Sequence, residues 1–203
     1  MMQPLQCRCG KLRGRVEPVR PVNHAICYCK DCQAFAHFLG RADEILDPLG
    51  GTEVVQTLPA NVALTEGRSE LACMRLGPKG LLRWYSRCCH TAIGNTLANP
   101  RVSFVGLVSD CLPVADPADK DQGLDAVFGP VQLRANVKSA RGRVCGPNGS
   151  LAAAAIRLSL MIMHARLDGR HRRTPFFDTA SRSPVVTPRV LSRSERAAIT
   201  HAD

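Results

Sequence analysis

Hydrophobic and polar residues alternate over short stretches through the first half of the chain. Leu12, Gly14 and Val16 interleave with Lys11, Arg13 and Arg15, the period-two pattern of a half-buried strand. Asn23 to Cys27 predicts a second strand, Thr52 to Leu58 a third behind the Gly50-Gly51 turn, and Val102 to Val108 a last one. Leu71 to Leu76 and Leu81 to Ser86 flank Gly77-Pro78-Lys79-Gly80, which predicts a hairpin. Gln33 to Leu39 has room for one or two helical turns.

The period changes in the second half. Pro130 suits the first turn of a helix running to about Ala140, with Gly142 placed to end it. Ser150 is placed to cap a longer helix from Leu151 to about Asp168, with Gly169 behind it. That helix is apolar nearly all round, which predicts burial against the sheet or against another chain. Pro175, Pro184 and Pro188 keep the next segment extended, and Ser192-Arg193-Ser194-Glu195 predicts a capping box opening a short terminal helix. The expectation is a mainly β chain with C-terminal helices, an α+β fold. Residues 1–110 form the β domain and 111–203 a helical extension packed on it, joined through the Gly-, Pro- and charge-rich stretch between Ser109 and Gly129.

Composition narrows the class. At 203 residues, with 45% hydrophobic and 22% charged positions, the chain can build one ordinary globular core without disulfide staples. Met1 to Gln6 contains no apolar run, so no signal peptide is expected, and Arg157, His164 and Arg166 interrupt the longest apolar stretch, against a membrane span. The expected setting is the reducing cytoplasm, where ten cysteines read as metal ligands rather than disulfides. A net charge of +10 is concentrated late in the chain: from Arg134 to Arg196 there are thirteen Lys/Arg and three Asp/Glu, with a knot at Arg170-His171-Arg172-Arg173. Nucleic acid or an acidic metabolite could use such a surface. Aromatic residues are only 4% of the chain, which argues against a base-stacking platform.

The chemistry concentrates at Cys27-Tyr28-Cys29-Lys30-Asp31-Cys32, with Cys7-Arg8-Cys9 upstream and Cys88-Cys89 downstream. Three thiols in six residues are too dense for packing alone. With Zn–S near 2.3 Å, tetrahedral coordination sets sulfurs roughly 3.7–3.8 Å apart, which a short knuckle can supply. The spacing points to zinc, one or two ions per chain.

The order C-x-C, C-x-C-x-x-C, then a cysteine pair followed by Thr-x-x-Gly after a basic strand resembles the glutathione-dependent formaldehyde-activating enzyme family, which includes centromere protein V. The resemblance runs from about Leu5 to Leu107, roughly half the chain. It implies a zinc-binding β-tent of small antiparallel sheets. It also implies Cys7, Cys9 and Cys89 at a structural zinc and Cys27, Cys29 and Cys32 at a second zinc with an open position. The activity it implies is that of a carbon–sulfur lyase forming or cleaving a glutathione–aldehyde adduct, with glutathione or another small thiol as partner. The rival expectation is a non-catalytic zinc module binding a partner or nucleic acid through its basic C-terminal half. A third has both zincs structural and the helices forming a homodimer face.

The chain departs from the family pattern at Ser86, where the family has the first cysteine of its last C-x-x-C. Cys88 is the nearest substitute as fourth structural ligand, with Cys73 on the hairpin partner as the alternative. Adjacent residues of an extended strand face opposite ways, so Cys88 and Cys89 can share one ion only if the backbone kinks between them. Otherwise Cys88 could close the Cys27/Cys29/Cys32 site. Gln33-Ala34-Phe35-Ala36-His37 adds bulk after the cluster. His37 reads as a ligand or general acid, or more simply as a packed or surface residue. Cys111 and Cys145 are expected to fill core positions.

Overall fold

The computed structural model describes residues 2–20, 22–114 and 123–200. In chain order the elements are β1 (Gln3–Gln6), β2 (Arg13–Val16), β3 (Asn23–Cys27), α1 (Lys30–Phe38), α2 (Ala42–Ile45), β4 (Thr52–Thr57), β5 (Val62–Glu66), β6 (Leu71–Arg75), β7 (Leu82–Ser86), β8 (Ala92–Thr96) and β9 (Val105–Val108). The second half adds α3 (Asp125–Phe128), β10 (Leu133–Ala135), α4 (Leu151–Leu167), β11 (Arg189–Val190) and α5 (Arg193–Thr200). The chain is mainly β with C-terminal helices, the α+β class expected from its pattern.

Two sheets form. The smaller is the antiparallel order β1-β2-β5, and the larger runs β10-β3-β4-β9-β8-β7-β6-β11. The larger sheet is buried on both faces, as alternate residues of one strand show. Val55, Leu107 and Cys73 point to a core shared with Leu5, Val16, Val62 and Leu64 of the small sheet. Their neighbours Val54, Val108 and Met74 point to a second core under α1, with Phe35 and Leu39. The result is three layers: small sheet, large sheet, helices. Burial on both faces also explains why β8 shows no alternation; all five of its residues are buried.

The predicted helix from Pro130 to Ala140 does not form. Leu133–Ala135 instead pairs in parallel with Ala25–Cys27, and only a single 3-10 turn, Val137–Ser139, follows. The free edge of β3 offers backbone partners that a surface helix would forgo: Gln132 N–H donates to His24 O at 2.8 Å, and just past the strand Tyr28 N–H donates to Ala135 O at 3.0 Å. Gly149, at φ +74°, lets the chain lie against Gln132, where any β-carbon would overlap the backbone. At the opposite edge β11 pairs in parallel with β6, so C-terminal strands border the large sheet on both sides. Of the predicted join, residues 115–122 lie outside the described residues.

The predicted caps are present. Ser150 Oγ accepts from Ala153 N–H at 3.2 Å, and Ser192 and Glu195 exchange the two bonds of a capping box. The apolar helix α4, however, is not buried all round. It seats Ala154, Met161 and Ala165 on the protein and leaves Leu151, Ile156, Leu160, Met163 and Leu167 exposed. Two of the three residues it buries are alanines, so its contact with the protein uses up little of the helix surface. No helix among the described residues is long and apolar enough to cross a membrane.

The segment after α4 closes the first core. Phe176, fully buried, lies 5.1 Å from the Trp84 ring, and Phe177 meets the same ring edge-on at 6.3 Å. Trp84 Nε1–H donates to Thr96 Oγ1 at 3.0 Å, which satisfies its one polar atom. Truncation of Phe176 to alanine should therefore cost about 3–5 kcal/mol. Leu160→Gln, on the exposed side of α4, should change stability by less than about 0.5 kcal/mol. Denaturant unfolding of both variants against the parent checks the pair.

Candidate metal centre

Four thiols from two different sheets meet at one point. Cys7 and Cys9 lie in the connection from β1 to β2, and Cys88 and Cys89 in the connection from β7 to β8. Their sulfurs all fall within 4.8 Å of one another: 3.5 Å from Cys7 to Cys9, 3.7 Å from Cys7 to Cys88, 3.3 Å from Cys9 to Cys88 and 3.9 Å from Cys88 to Cys89. These separations bracket the roughly 3.7–3.8 Å that tetrahedral thiolates need around an ion with bonds near 2.3 Å.

The kink that lets adjacent cysteines converge is real. Residues 87–89 form a turn rather than strand, closed by His90 N–H to Ser86 O at 2.8 Å and Ser86 N–H to Thr91 O at 2.9 Å. His90 sits at φ +55°, a left-handed conformation that histidine tolerates better than bulkier residues do. The turn is held from behind by a buried ion pair. Arg41 reaches Asp110 at 2.7 Å, and Asp110 also accepts the Ala92 N–H at 2.8 Å. On the other strand pair, Leu12 N–H donates to Cys7 Sγ at 3.2 Å, and Arg8 N–H to Thr91 Oγ1 at 2.9 Å stitches the two connections together.

Ser86 takes a supporting place. Its hydroxyl, fully buried, accepts the Thr91 N–H at 3.0 Å and lies 3.4 Å from Cys89 Sγ, with Thr91 Oγ1 at 3.3 Å on the same sulfur. Burial pushes the Cys89 thiol up, but these hydrogen bonds and one from Cys9 outweigh it and bring the pKa down to about 5. Burial and contact with Cys9 and Cys7 push Cys88 up to about 12. The group thus favours a thiolate at Cys89 first, and a cation is needed to ionise the rest.

The second group is local. Cys27 ends β3, Cys29 precedes α1 and Cys32 lies in its first turn; the three sulfurs are within 4.8 Å of one another. Cys32 N–H donates to Cys29 O at 3.0 Å, the bond that folds the knuckle. Hydrogen bonds from Cys29 and Cys32 hold the Cys27 sulfur far below an ordinary thiol, and Asn136 Nδ2 adds another at 3.5 Å. Behind Cys32 stands Arg83, buried, its guanidinium 5.4 Å from the Phe35 ring centre and 3.2 Å from Asn95 Oδ1. The two cysteine neighbours and burial push the Cys32 thiol well up, and the Arg83 charge offsets them only in part. Thr52 faces Cys27 across the β3–β4 ladder, and its buried hydroxyl has no hydrogen-bond partner. Opposed residues of such a ladder share a face of the sheet.

The structure thus brings all seven predicted cysteines into two groups, each of which can hold a metal ion. Cys88 stands with Cys7, Cys9 and Cys89, so it does not close the second group. Cys73 belongs to neither; it is buried in the core, and desolvation lifts its thiol to about 12. His37 also lies outside both groups, with Nε2 3.4 Å from an Arg141 nitrogen. Cys111 fills the core as expected, donating to the carbonyls of Val108 and Ile93 at 3.2 and 3.3 Å. Cys145 does not; it is exposed, in the turn-rich stretch between β10 and α4. Asn136, Arg83, Thr52 and the Arg41–Asp110 pair had no local signal, because strand pairings bring each to its group from far along the chain.

Comparison with known proteins adds a family without an assigned role. A family model described as a family of unknown function, DUF6151, matches residues 1–186. No curated protein matches the chain. A crystal structure of a Rhodobacter sphaeroides protein, a structural-genomics target, is similar over 57% of this chain and 93% of its own, at 18% identity and a TM-score of 0.41.

The grouping makes a direct prediction. Cys88→Ser should release metal from its group at least about tenfold more readily to a chelator, whereas Cys73→Ser should leave metal retention unchanged, as read on anaerobically purified protein. Easier release in the Cys73 variant, or no easier release in the Cys88 variant, would contradict the grouping.

Proposed function

We propose that this chain, which belongs to the DUF6151 family, is a zinc protein with one structural and one reactive site, acting as a carbon–sulfur lyase on a glutathione–aldehyde adduct. The observation that carries the reading is the inequality of the two groups: four thiols converge in one, and among the described residues only three in the other. Four thiolates complete a tetrahedral ion and leave no room for substrate, while three leave a position for one. Soft sulfur donors at knuckle spacing suit zinc in both.

Bound at Cys27, Cys29 and Cys32, zinc would lower the pKa of a thiol in the remaining position and hold its sulfur as a nucleophile. The surrounding residues do the rest. Asn136 orients the Cys27 sulfur, and the backbone knuckle holds Cys29 and Cys32 close to each other. Arg83 offsets the excess negative charge of three thiolates from the buried side. The unpartnered Thr52 hydroxyl on the same face is free to donate to an incoming sulfur or oxygen. In the forward direction the glutathione sulfur adds to the carbonyl carbon of formaldehyde. The C=O π electrons move to oxygen, which takes a proton, giving S-hydroxymethylglutathione without any redox change. Cleavage is the reverse. The two carboxylates of glutathione suit the protein's basic surface.

Reduced glutathione should bind the zinc-loaded protein once per chain by calorimetry, and S-methylglutathione, which has no thiol to ionise, should not. Cys29→Ser should abolish the binding while the four-thiol group keeps its ion. Equal binding of the two peptides, or none of either, would rule out the thiol-binding role.

A further inference from the structure

Away from both thiol groups lies a cleft of about 720 Å³, within the size range that small-molecule sites occupy. No cysteine lines it. Its walls carry Arg101 from the connection before β9, Arg166 from the last turn of α4, His171 and Arg172 from the 3-10 turn behind that helix, and Arg182 from the loop after Phe177. Gly169, at φ +77°, turns the chain back on itself at the end of α4 and so brings Arg166, His171 and Arg172 to one side. Phe177, only 6% exposed and packed on Trp84, supplies an apolar floor.

The electrostatics are one-sided. Four guanidiniums and an imidazole face a single carboxylate, Asp178. Asp178 is already engaged: its Oδ1 accepts the backbone N–H of Ala180 and Ser181 at 3.1 and 2.7 Å. The nearby Asp168 is paired with Arg170 at 2.7 Å, outside the cleft lining. Among the described residues no carboxylate pairs with Arg101, Arg166, Arg172 or Arg182. Like charges gathered in one concavity repel, and a bound anion relieves that repulsion.

Part of the arrangement is fixed in advance. Arg166 donates to the Arg101 carbonyl at 3.2 Å, which ties α4 to the opposite wall. His171 Nδ1 lies 3.2 Å from the Ala165 carbonyl, and since a carbonyl only accepts, that nitrogen carries the hydrogen. Planar guanidiniums fork onto phosphate oxygens better than any other side chain does, and several can share one di- or triphosphate. The volume exceeds that of a lone phosphate, and the Phe177 floor suits an organic portion.

We propose that this arginine-lined cleft binds a small phosphorylated molecule. The inference is independent of metal binding, so its fate and that of the lyase reading are separate.

The test is calorimetric titration of the full-length, zinc-loaded chain with inorganic pyrophosphate at physiological ionic strength, with zinc content measured before and after. One site per chain is expected. Arg172→Gln combined with Arg182→Gln should weaken it at least about tenfold, because each charge-assisted hydrogen bond contributes more than a neutral one. Arg143→Gln combined with Arg193→Gln removes the same charge from the same half of the chain outside the cleft, and should leave affinity within about twofold. Four outcomes would overturn the proposal. One is no binding up to about 1 mM, a weak limit for a built site. The second is equal loss in both double variants, which would mean a diffuse basic field. The third is binding that follows zinc extraction and ignores the Arg172/Arg182 pair. Duplex DNA that competes for the same arginines and binds more tightly than pyrophosphate would likewise replace the small ligand with a nucleic acid.

Discussion

Four thiols this close can all ionise only around a cation, and Cys7, Cys9, Cys88 and Cys89 lie within 4.8 Å of one another. The two pairs belong to different sheets, so an ion between them would fasten the small sheet to the large one at the end of the shared core. Leu5, Val16, Val62 and Leu64 already pack there against Val55 and Leu107. Metal binding and sheet packing therefore stabilise the same interface. Because structural zinc sites return apparent folding energies of about 10–16 kcal/mol in small domains, an ion here would outweigh any single core residue. The turn at His90 and the Arg41–Asp110 pair serve this one convergence.

The second thiol group has a different mechanical character. Its three cysteines come from one hexapeptide at the end of β3 and the start of α1, so an ion there fastens little that is not already adjacent. What converges on it from elsewhere is polar: Asn136 from behind β10, Thr52 from β4 and Arg83 from β7. Such a group joins nothing distant, yet it gathers a donor, an unpartnered hydroxyl and a buried cation beside its three thiols.

The sequence made the local features legible. Strand alternation at Leu12–Val16, the hairpin around Gly77–Gly80, the Ser150 cap and the Ser192–Glu195 box all rest on residues close together in the chain, and all are present. The seven thiols were legible for the same reason. What was not legible depends on partners far away. β10 is a strand because the edge of β3 is open, although Pro130 and Gly142 bracket a plausible helix. β1, β5 and β8 were missed: the first two are short edge or pairing strands, and the last is buried on both faces and shows no alternation. The burial of α4 was overestimated because composition counts apolar residues and ignores how few of them, Ala154, Met161 and Ala165, face the protein. Cys88 could be assigned only when the turn at residues 87–89 was seen to swing it onto the side of Cys89.

The central claim is that one thiol group is closed and the other open. X-ray absorption at the zinc edge, on protein purified anaerobically with its natural metal content, measures this directly. Two zinc ions per chain sharing seven sulfurs, with one lighter atom completing the second site, are expected. Two ions each surrounded by four sulfurs, or a single ion per chain, would contradict the claim.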